Sequence, residues 1–164
     1  TYRICDRARA TYDDVGPVVQ AYLKRAGGDV DRHVRSGVRV RLCKGAYKEP
    51  PDVAFQKMAD IRRNYMDLAR MLLPGGKYPG IATHDDFLVE GVLSHVAAEK
   101  IPPDRFEFQM LYGIRPEKQR AIVAGGHRMR VYVPFGTHWA GYFARRLAER
   151  KENVFFVLRS LFSK

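Results

Sequence analysis

Gly-Ile-Ala-Thr-His-Asp-Asp-Phe-Leu-Val-Glu-Gly-Val-Leu-Ser-His-Val-Ala-Ala-Glu-Lys-Ile-Pro-Pro-Asp-Arg-Phe-Glu-Phe-Gln-Met-Leu (80–111) reads as a strand, a helix and a second strand. Residues 80–83 are a short strand that ends in Thr83-His84-Asp85. Asp86 opens a helix whose stripe of Leu88, Val92, His95, Val96 and Glu99 repeats at spacings of three and four. The carboxylates of Asp85 and Asp86 are explained by capping of that helix. Pro102-Pro103 stops it, and residues 106–111 form the next strand, closed by Gly113. A helix between two strands with no hairpin turn implies parallel pairing and a crossover connection.

The same unit repeats on both sides. Upstream, residues 15–23 read as a buried strand and residues 29–35 as a short helix after Gly27-Gly28. Residues 38–42 are a strand with Val and Leu on one side and Arg39 and Arg41 on the other, punctuated by Gly45. Asp52 is expected to cap a helix in which Ala54, Met58, Ile61, Tyr65, Leu68 and Leu72 form the apolar stripe, about six turns long. Pro74-Gly75-Gly76 ends it. Residues 1–14 are charged and aperiodic and read as a remnant or linker, with one domain over residues 15–164. Downstream, Pro116 sits in the first turn of a helix over residues 117–124, which Gly125-Gly126 terminates. Residues 131–133 are a strand stopped by Pro134 and Gly136. Thr137 then caps a helix on which Tyr142, Arg145, Arg146 and Glu149 share a face, and an apolar helix follows over residues 152–162.

Five strand-then-helix units in a row specify an α/β fold with a parallel sheet. An open doubly wound sheet would carry Gly-x-Gly-x-x-Gly in its first βα turn, or a phosphate-binding lysine loop, and both are missing. Polar and aromatic residues stand instead at every strand end: Gln20 and Tyr22; Arg41, Lys44 and Tyr47; Thr83 and His84; Gln109 and Leu111; Tyr132. A (β/α)8 barrel builds its site from such a ring at its C-terminal mouth, and needs eight units and about 250 residues. The expected fold is therefore a distorted (β/α)8 TIM-type barrel of which this chain supplies the last five units plus a C-terminal helix, three units lying before residue 1. An open five-stranded sheet is the alternative.

With 164 residues, 46% of them hydrophobic and 12% aromatic, the chain can bury a real core. No apolar run reaches the roughly 20 residues of a membrane helix. Cys5 and Cys43 lack Cys-x-x-Cys spacing, which fits a reducing compartment and no metal site. The net charge of +11 suits an anionic membrane surface or an acidic ligand, but the cations are spread over the helices, which argues against a nucleic-acid stripe.

Several side chains invite chemistry. Arg41 and Lys44 flank a strand end, and Gly45 lets a ligand approach the backbone, as an anionic cofactor would require. His84 has no second ligand at zinc-like spacing. Gln109 points away from Phe108 and Met110, and is costly there unless a flavin ring edge or another side chain bonds it. Two neighbouring guanidiniums, Arg145 and Arg146, present planar forks suited to a carboxylate or phosphate.

Arg-Leu-Cys-Lys-Gly-Ala-Tyr (41–47), Ala-Thr-His-Asp (82–85), Phe-Glu-Phe-Gln-Met-Leu-Tyr-Gly (106–113), Tyr-Val-Pro-Phe-Gly-Thr-His (132–138) and Tyr-Phe-Ala-Arg-Arg-Leu-Ala-Glu (142–149) together resemble proline dehydrogenase, and more closely its stand-alone bacterial form. The resemblance runs from about residue 15 to residue 162. It implies FAD as cofactor and oxidation of L-proline to Δ1-pyrroline-5-carboxylate by hydride transfer to the flavin, with electrons passed to a quinone. It implies that Gln20, Lys44, Gly45, Ala46, Thr83, His84 and Gln109 hold FAD, and that Arg41 is catalytic. Arg145 and Arg146 would clamp the proline carboxylate, Tyr132, Tyr142, Leu111 and Tyr47 would wall the ring, and Glu149 would pair with one arginine. A cytoplasmic protein, peripheral at the inner face of the bacterial membrane, is the expected setting. The family's early barrel strands also supply a lysine and an aspartate that no position here matches. A non-catalytic half-barrel that needs a partner chain is therefore the alternative function.

Overall fold

The side chains on each strand segregate cleanly, and that segregation builds the sheet. The computed structural model describes residues 2–137. Five short strands, β1 (Val18–Gln20), β2 (Arg41–Cys43), β3 (Gly80–Ala82), β4 (Glu107–Leu111) and β5 (Met129–Tyr132), pair in parallel in the order in which the chain makes them. Val19, Leu42, Ile81, Phe108 and Met110 point to one face and are buried. On that face pack α2 (Ala26–Arg35), α3 (Met58–Gly75), α4 (Asp86–Ala98) and α5 (Pro116–Ala124), through Val30, Leu68, Leu72, Leu88, Val92 and Ile122. Tyr65 of α3 is fully buried and donates its hydroxyl to the Leu42 carbonyl at 3.2 Å, which locks α3 over the middle of the sheet.

The register sets out the opposite face. One row runs Gln20–Cys43–Ala82–Gln109–Arg130 across all five strands. The row beneath runs Val18–Arg41–Gly80–Glu107, and Leu111 pairs with Tyr132 above. β1 and β5 do not pair with each other among the described residues, so the parallel sheet is unclosed. Gly80 and Ala82 are the small residues of this face; both are buried, Gly80 beneath the side chain of Gln109.

Several local expectations need correction. Residues 2–9 form a helix and not an irregular remnant: α1 (Tyr2–Arg9) docks on α2, with the Tyr2 hydroxyl 2.9 Å from Asp29 Oδ2 and the Tyr2 ring edge-on to His33. Gly27 and Gly28 do not precede α2 but lie in its first turn, where backbone N–H groups lack intrahelical partners anyway. Asp52 does not cap α3, which begins at Met58; Ala54 instead bridges Leu23 and joins a second small core with Tyr22 and Ile61. The first four strands are shorter than expected, β1 covering Val18–Gln20 alone, whereas β5 runs Met129–Tyr132 and starts two residues earlier than expected. Pro17, just before β1, has no N–H to donate, yet its carbonyl accepts from Arg41 N at 3.0 Å. The helices expected to carry Tyr142, Arg145, Arg146 and Glu149, and to span residues 152–162, lie outside the described residues.

Candidate active site

The carboxyl ends of β1 to β5 bring together Gln20, Lys44, Gly45, Ala46, Tyr47, Thr83, His84, Leu111 and Tyr132, while Arg41 and Gln109 lie on the open face just beneath. Tyr47 and Tyr132 are half or more exposed, at 59% and 50%; Gln20 and Leu111 are half-buried. Arg145, Arg146, Tyr142 and Glu149 lie outside the described residues.

The loop after β2 is tied down on both sides. Ala21 N and Tyr22 N donate to the carbonyls of Cys43 and Lys44, each at 2.8 Å. Gly45 has φ +107°, and a Cβ there would stand 2.1 Å from the Tyr22 ring. The backbone amides of Ala46 and Tyr47 have no partner among the described residues. Lys44 Nζ lies 2.9 Å from Asp85 Oδ2. Asp85 is thus not the helix cap expected of it: no side-chain cap bond forms, and its buried carboxylate takes Lys44 and a two-pronged Arg62 at 2.9 and 3.0 Å. Burial alone would raise its pKa, but the bonds from Arg62 and Lys44 hold it below the usual carboxylate range.

After β3, Thr83 Oγ1 accepts from Asp85 N at 3.1 Å. His84 Nε2 accepts from Leu111 N at 2.9 Å, which places the ring proton on Nδ1. Arg115, in the left-handed region at φ +54°, donates to the His84 carbonyl at 2.7 Å and to both oxygens of Asp86. Burial lowers the His84 pKa to about 4, with the charges of Arg115, Lys44 and Arg41 adding to the effect. His84 is therefore a neutral imidazole at pH 7. Its folded value lies below the unfolded one, so the stability it contributes is complete above pH 6.5 and is lost as pH falls toward 4. The gap from 6.5 to about 4 corresponds to about 3 kcal/mol. Urea unfolding between pH 7 and pH 4 is expected to show that loss relative to His84→Gln; parallel pH profiles for the two proteins would contradict it.

On the open face, Arg41 Nε donates to Gln109 Oε1 at 2.7 Å, and Gln109 Nε2 donates to Glu107 Oε1 at 2.7 Å. Glu107 is 3% exposed and also receives Arg39 Nη2 at 3.2 Å and Arg130 Nη2 at 2.9 Å. Burial pushes its carboxyl up, and the bonds from Arg130 and Gln109 with the charges of Arg130 and Arg39 bring it below the ordinary value. Of the two partners weighed for Gln109, another side chain occupies it here. Glu107, Arg39, Arg130, Asp85 and Arg115 were not among the expected site residues. Period-two alternation from Gln109 back to Glu107 was the available signal for the first.

Among the described residues, an exposed Arg41, a lysine at a strand end, two amides without a partner beyond a glycine and a neutral histidine with no acceptor at Nδ1–H make a donor set suited to an anionic ligand. Among the described residues no helix is long and apolar enough to cross a membrane.

Comparison with known proteins was informative. The family model "Proline dehydrogenase" matches residues 2–159. Proline dehydrogenase 1 of Bacillus subtilis subsp. natto is 44% identical over 163 residues, covering 99% of this chain and 53% of that protein. Proline dehydrogenase of Deinococcus radiodurans is 43% identical over 149 residues, covering 91% of this chain and 48% of that protein. The chain spans about half the length of the curated relatives it matches. A proline utilization A (PutA) structure with proline bound in remote sites superposes with TM-score 0.74 at 30% identity, covering 97% of this chain and 18% of that one. The PutA of Bdellovibrio bacteriovorus inactivated by N-propargylglycine gives 0.72 at 33% identity, over 82% and 16%.

Proposed function

The chain belongs to the proline dehydrogenase family, and from that premise we propose that it forms part of a distorted (β/α)8 barrel that binds FAD and oxidises L-proline to Δ1-pyrroline-5-carboxylate, with a quinone as electron acceptor. The observation that carries this reading is the open sheet face, where Arg41 and Gln109 are bonded to each other beneath a mouth lined by Lys44, Gly45 and His84. A face with helices on one side only and polar groups on the other is what a barrel interior requires.

In this reading Gln20, Lys44, Gly45, Ala46, Thr83, His84 and Gln109 hold the cofactor, and Arg41 is the catalytic cation. Lys44 and the amides of Ala46 and Tyr47 supply donors to an anionic group, and the missing Cβ of Gly45 keeps the loop in place beside Tyr22. FAD held by these residues would supply a two-electron acceptor for the hydride of the ring carbon that is bonded to nitrogen and does not carry the carboxylate, the N–H proton leaving to solvent. The remaining work falls to the protein. Arg145 and Arg146 clamp the substrate carboxylate by paired hydrogen bonds and so fix its pose. Glu149 pairs with one of them. Tyr132, Tyr142, Leu111 and Tyr47 give a small ring its contact area and keep water out. The positive charge of Arg41 favours negative charge developing beside it. Electron delivery to a quinone would bring the protein to the inner membrane face, where its net charge of +11 suits anionic lipid.

The test is spectroscopic. The purified protein is expected to be yellow, with absorption near ~450 nm that bleaches when L-proline is added without oxygen. Arg145→Met or Arg146→Met is expected to raise the KM for proline at least about tenfold, the loss of a charge-assisted bond, while flavin stays bound. A colourless protein, or a yellow one indifferent to proline, would refute the assignment.

A further inference from the structure

We propose that Glu107 is a positioning residue: it orients the side-chain amide of Gln109, and through it the guanidinium of Arg41. The inference rests on the flavin reading above and extends it to a residue two strands away from Arg41.

A carboxylate only accepts, whereas a glutamine amide can present either end to a neighbour. Glu107 is buried and takes Gln109 Nε2 at 2.7 Å, which leaves Oε1 as the end facing β2. Arg41 Nε meets that oxygen at 2.7 Å. The reverse orientation would set oxygen against carboxylate and N–H₂ against guanidinium, two repulsive contacts in place of two bonds. The charge of Glu107 is answered by Arg130, through Nε and Nη2, and by Arg39. Arg41 makes no ion pair among the described residues. Among the described residues its one acceptor is a neutral carbonyl, so the bond to Gln109 holds the guanidinium without neutralising its charge. Gly80 makes the reach possible: a Cβ there would stand 2.4 Å from Gln109 Nε2, in the row that separates Arg41 from Glu107.

A cation fixed beside a flavin raises its midpoint potential by stabilising the anionic reduced form. Loosening Arg41 therefore makes the potential more negative. Removing the Glu107 charge, acting through space alone, would make it more positive, so the sign separates the two mechanisms. The experiment is spectroelectrochemistry on the flavin-loaded full-length protein and its Glu107→Gln and Gln109→Met variants, each also made in an Arg41→Met background. Both single variants are expected to shift the potential negative, and the Glu107→Gln shift is expected to vanish once Arg41 is Met. A positive shift in Glu107→Gln, an unchanged potential in Gln109→Met, or a Glu107→Gln shift that persists without Arg41 would overturn the relay. If Glu107→Gln does not fold, Glu107→Asp carries the test, because the shorter side chain keeps its charge beside Arg39 and Arg130 and draws back from Gln109 Nε2. A protein that never takes up flavin takes down the assigned function along with the relay. A flavin-loaded, proline-reducible protein whose potential ignores both residues takes down the relay alone.

Discussion

Gly45→Ala is expected to destabilise the protein by about 3–5 kcal/mol and, on the proposed flavin reading, to weaken cofactor binding. Two costs coincide at this position. A φ of +107° lies outside even the left-handed region that non-glycine residues tolerate. The new methyl would also stand 2.1 Å from Cδ1 and 2.6 Å from Cε1 of Tyr22. That ring cannot swing aside, because Tyr22 is 5% exposed, packs on Ala54 and Ile61, and is bonded along its backbone to Lys44 and Phe55. Relief must come from the loop, which carries Lys44 and Ala46 away from their places. Each ~1.4 kcal/mol of that distortion charged to the bound state weakens cofactor binding tenfold. Gly37→Ala is the control. Its φ is +59° and nothing lies within 4 Å of the added carbon. It should cost only about 1–2 kcal/mol of left-handed strain and leave the visible spectrum intact. Urea unfolding with flavin absorbance compares the two; equal costs would mean that the Tyr22 contact is not what makes glycine necessary.

The order of the sheet was legible because hydrophobic periodicity alternates between two and three to four along the chain, and each switch marks a unit. β3, α4 and β4 follow that pattern closely. What periodicity misses is structure made by partners far away in sequence. α1 has one buried residue, Cys5, and so shows no stripe; contacts from Tyr2 and Asp6 to α2 hold it. Ala54 looks like the first residue of the α3 stripe because it falls four before Met58. Its real partner is Leu23, 31 residues earlier (54 − 23). The same limit applies to the site. Arg41, Lys44, His84 and Gln109 could be selected because they were expected at strand ends; Lys44 and His84 do follow the carboxyl ends of β2 and β3, whereas Arg41 opens β2 and Gln109 lies in the middle of β4. The roles of Asp85 and Glu107 depend on cations from other units: Lys44 and Arg62 for one, Arg39 and Arg130 for the other. An Asp before a helix has a local explanation in capping, and that explanation hides the ion pairs. Glu107 hides in a strand whose neighbours Phe106 and Phe108 take the attention.

Asp85→Ala should be the second large effect, about 3 kcal/mol, and it separates pairing from capping. Had Asp85 been a cap, its loss would cost about 1 kcal/mol and be repaired by serine or asparagine. Its carboxylate instead sits at 6% side-chain exposure between Lys44 and Arg62, at 23% and 40%. Removing it takes a buried carboxylate away from Lys44 and Arg62, and the partial exposure of both cations keeps the loss at the low end of the range for buried pairs. Asp85→Asn should therefore be almost as damaging as alanine, since it keeps the shape and loses the charge. Lys44→Met added to Asp85→Ala should recover about 1 kcal/mol by removing one stranded charge, a coupling that a capping role cannot produce. The pH dependence is also distinct. The folded carboxyl titrates below its ordinary 3.8, so its contribution is complete above that value and vanishes only as pH falls through the lower one. The gap between wild type and Asp85→Ala should then hold steady from pH 7 to about 4, the interval in which His84 sheds its own contribution. Additive costs for Asp85 and Lys44, or a gap that closes above pH 4, would return Asp85 to the role of a helix cap.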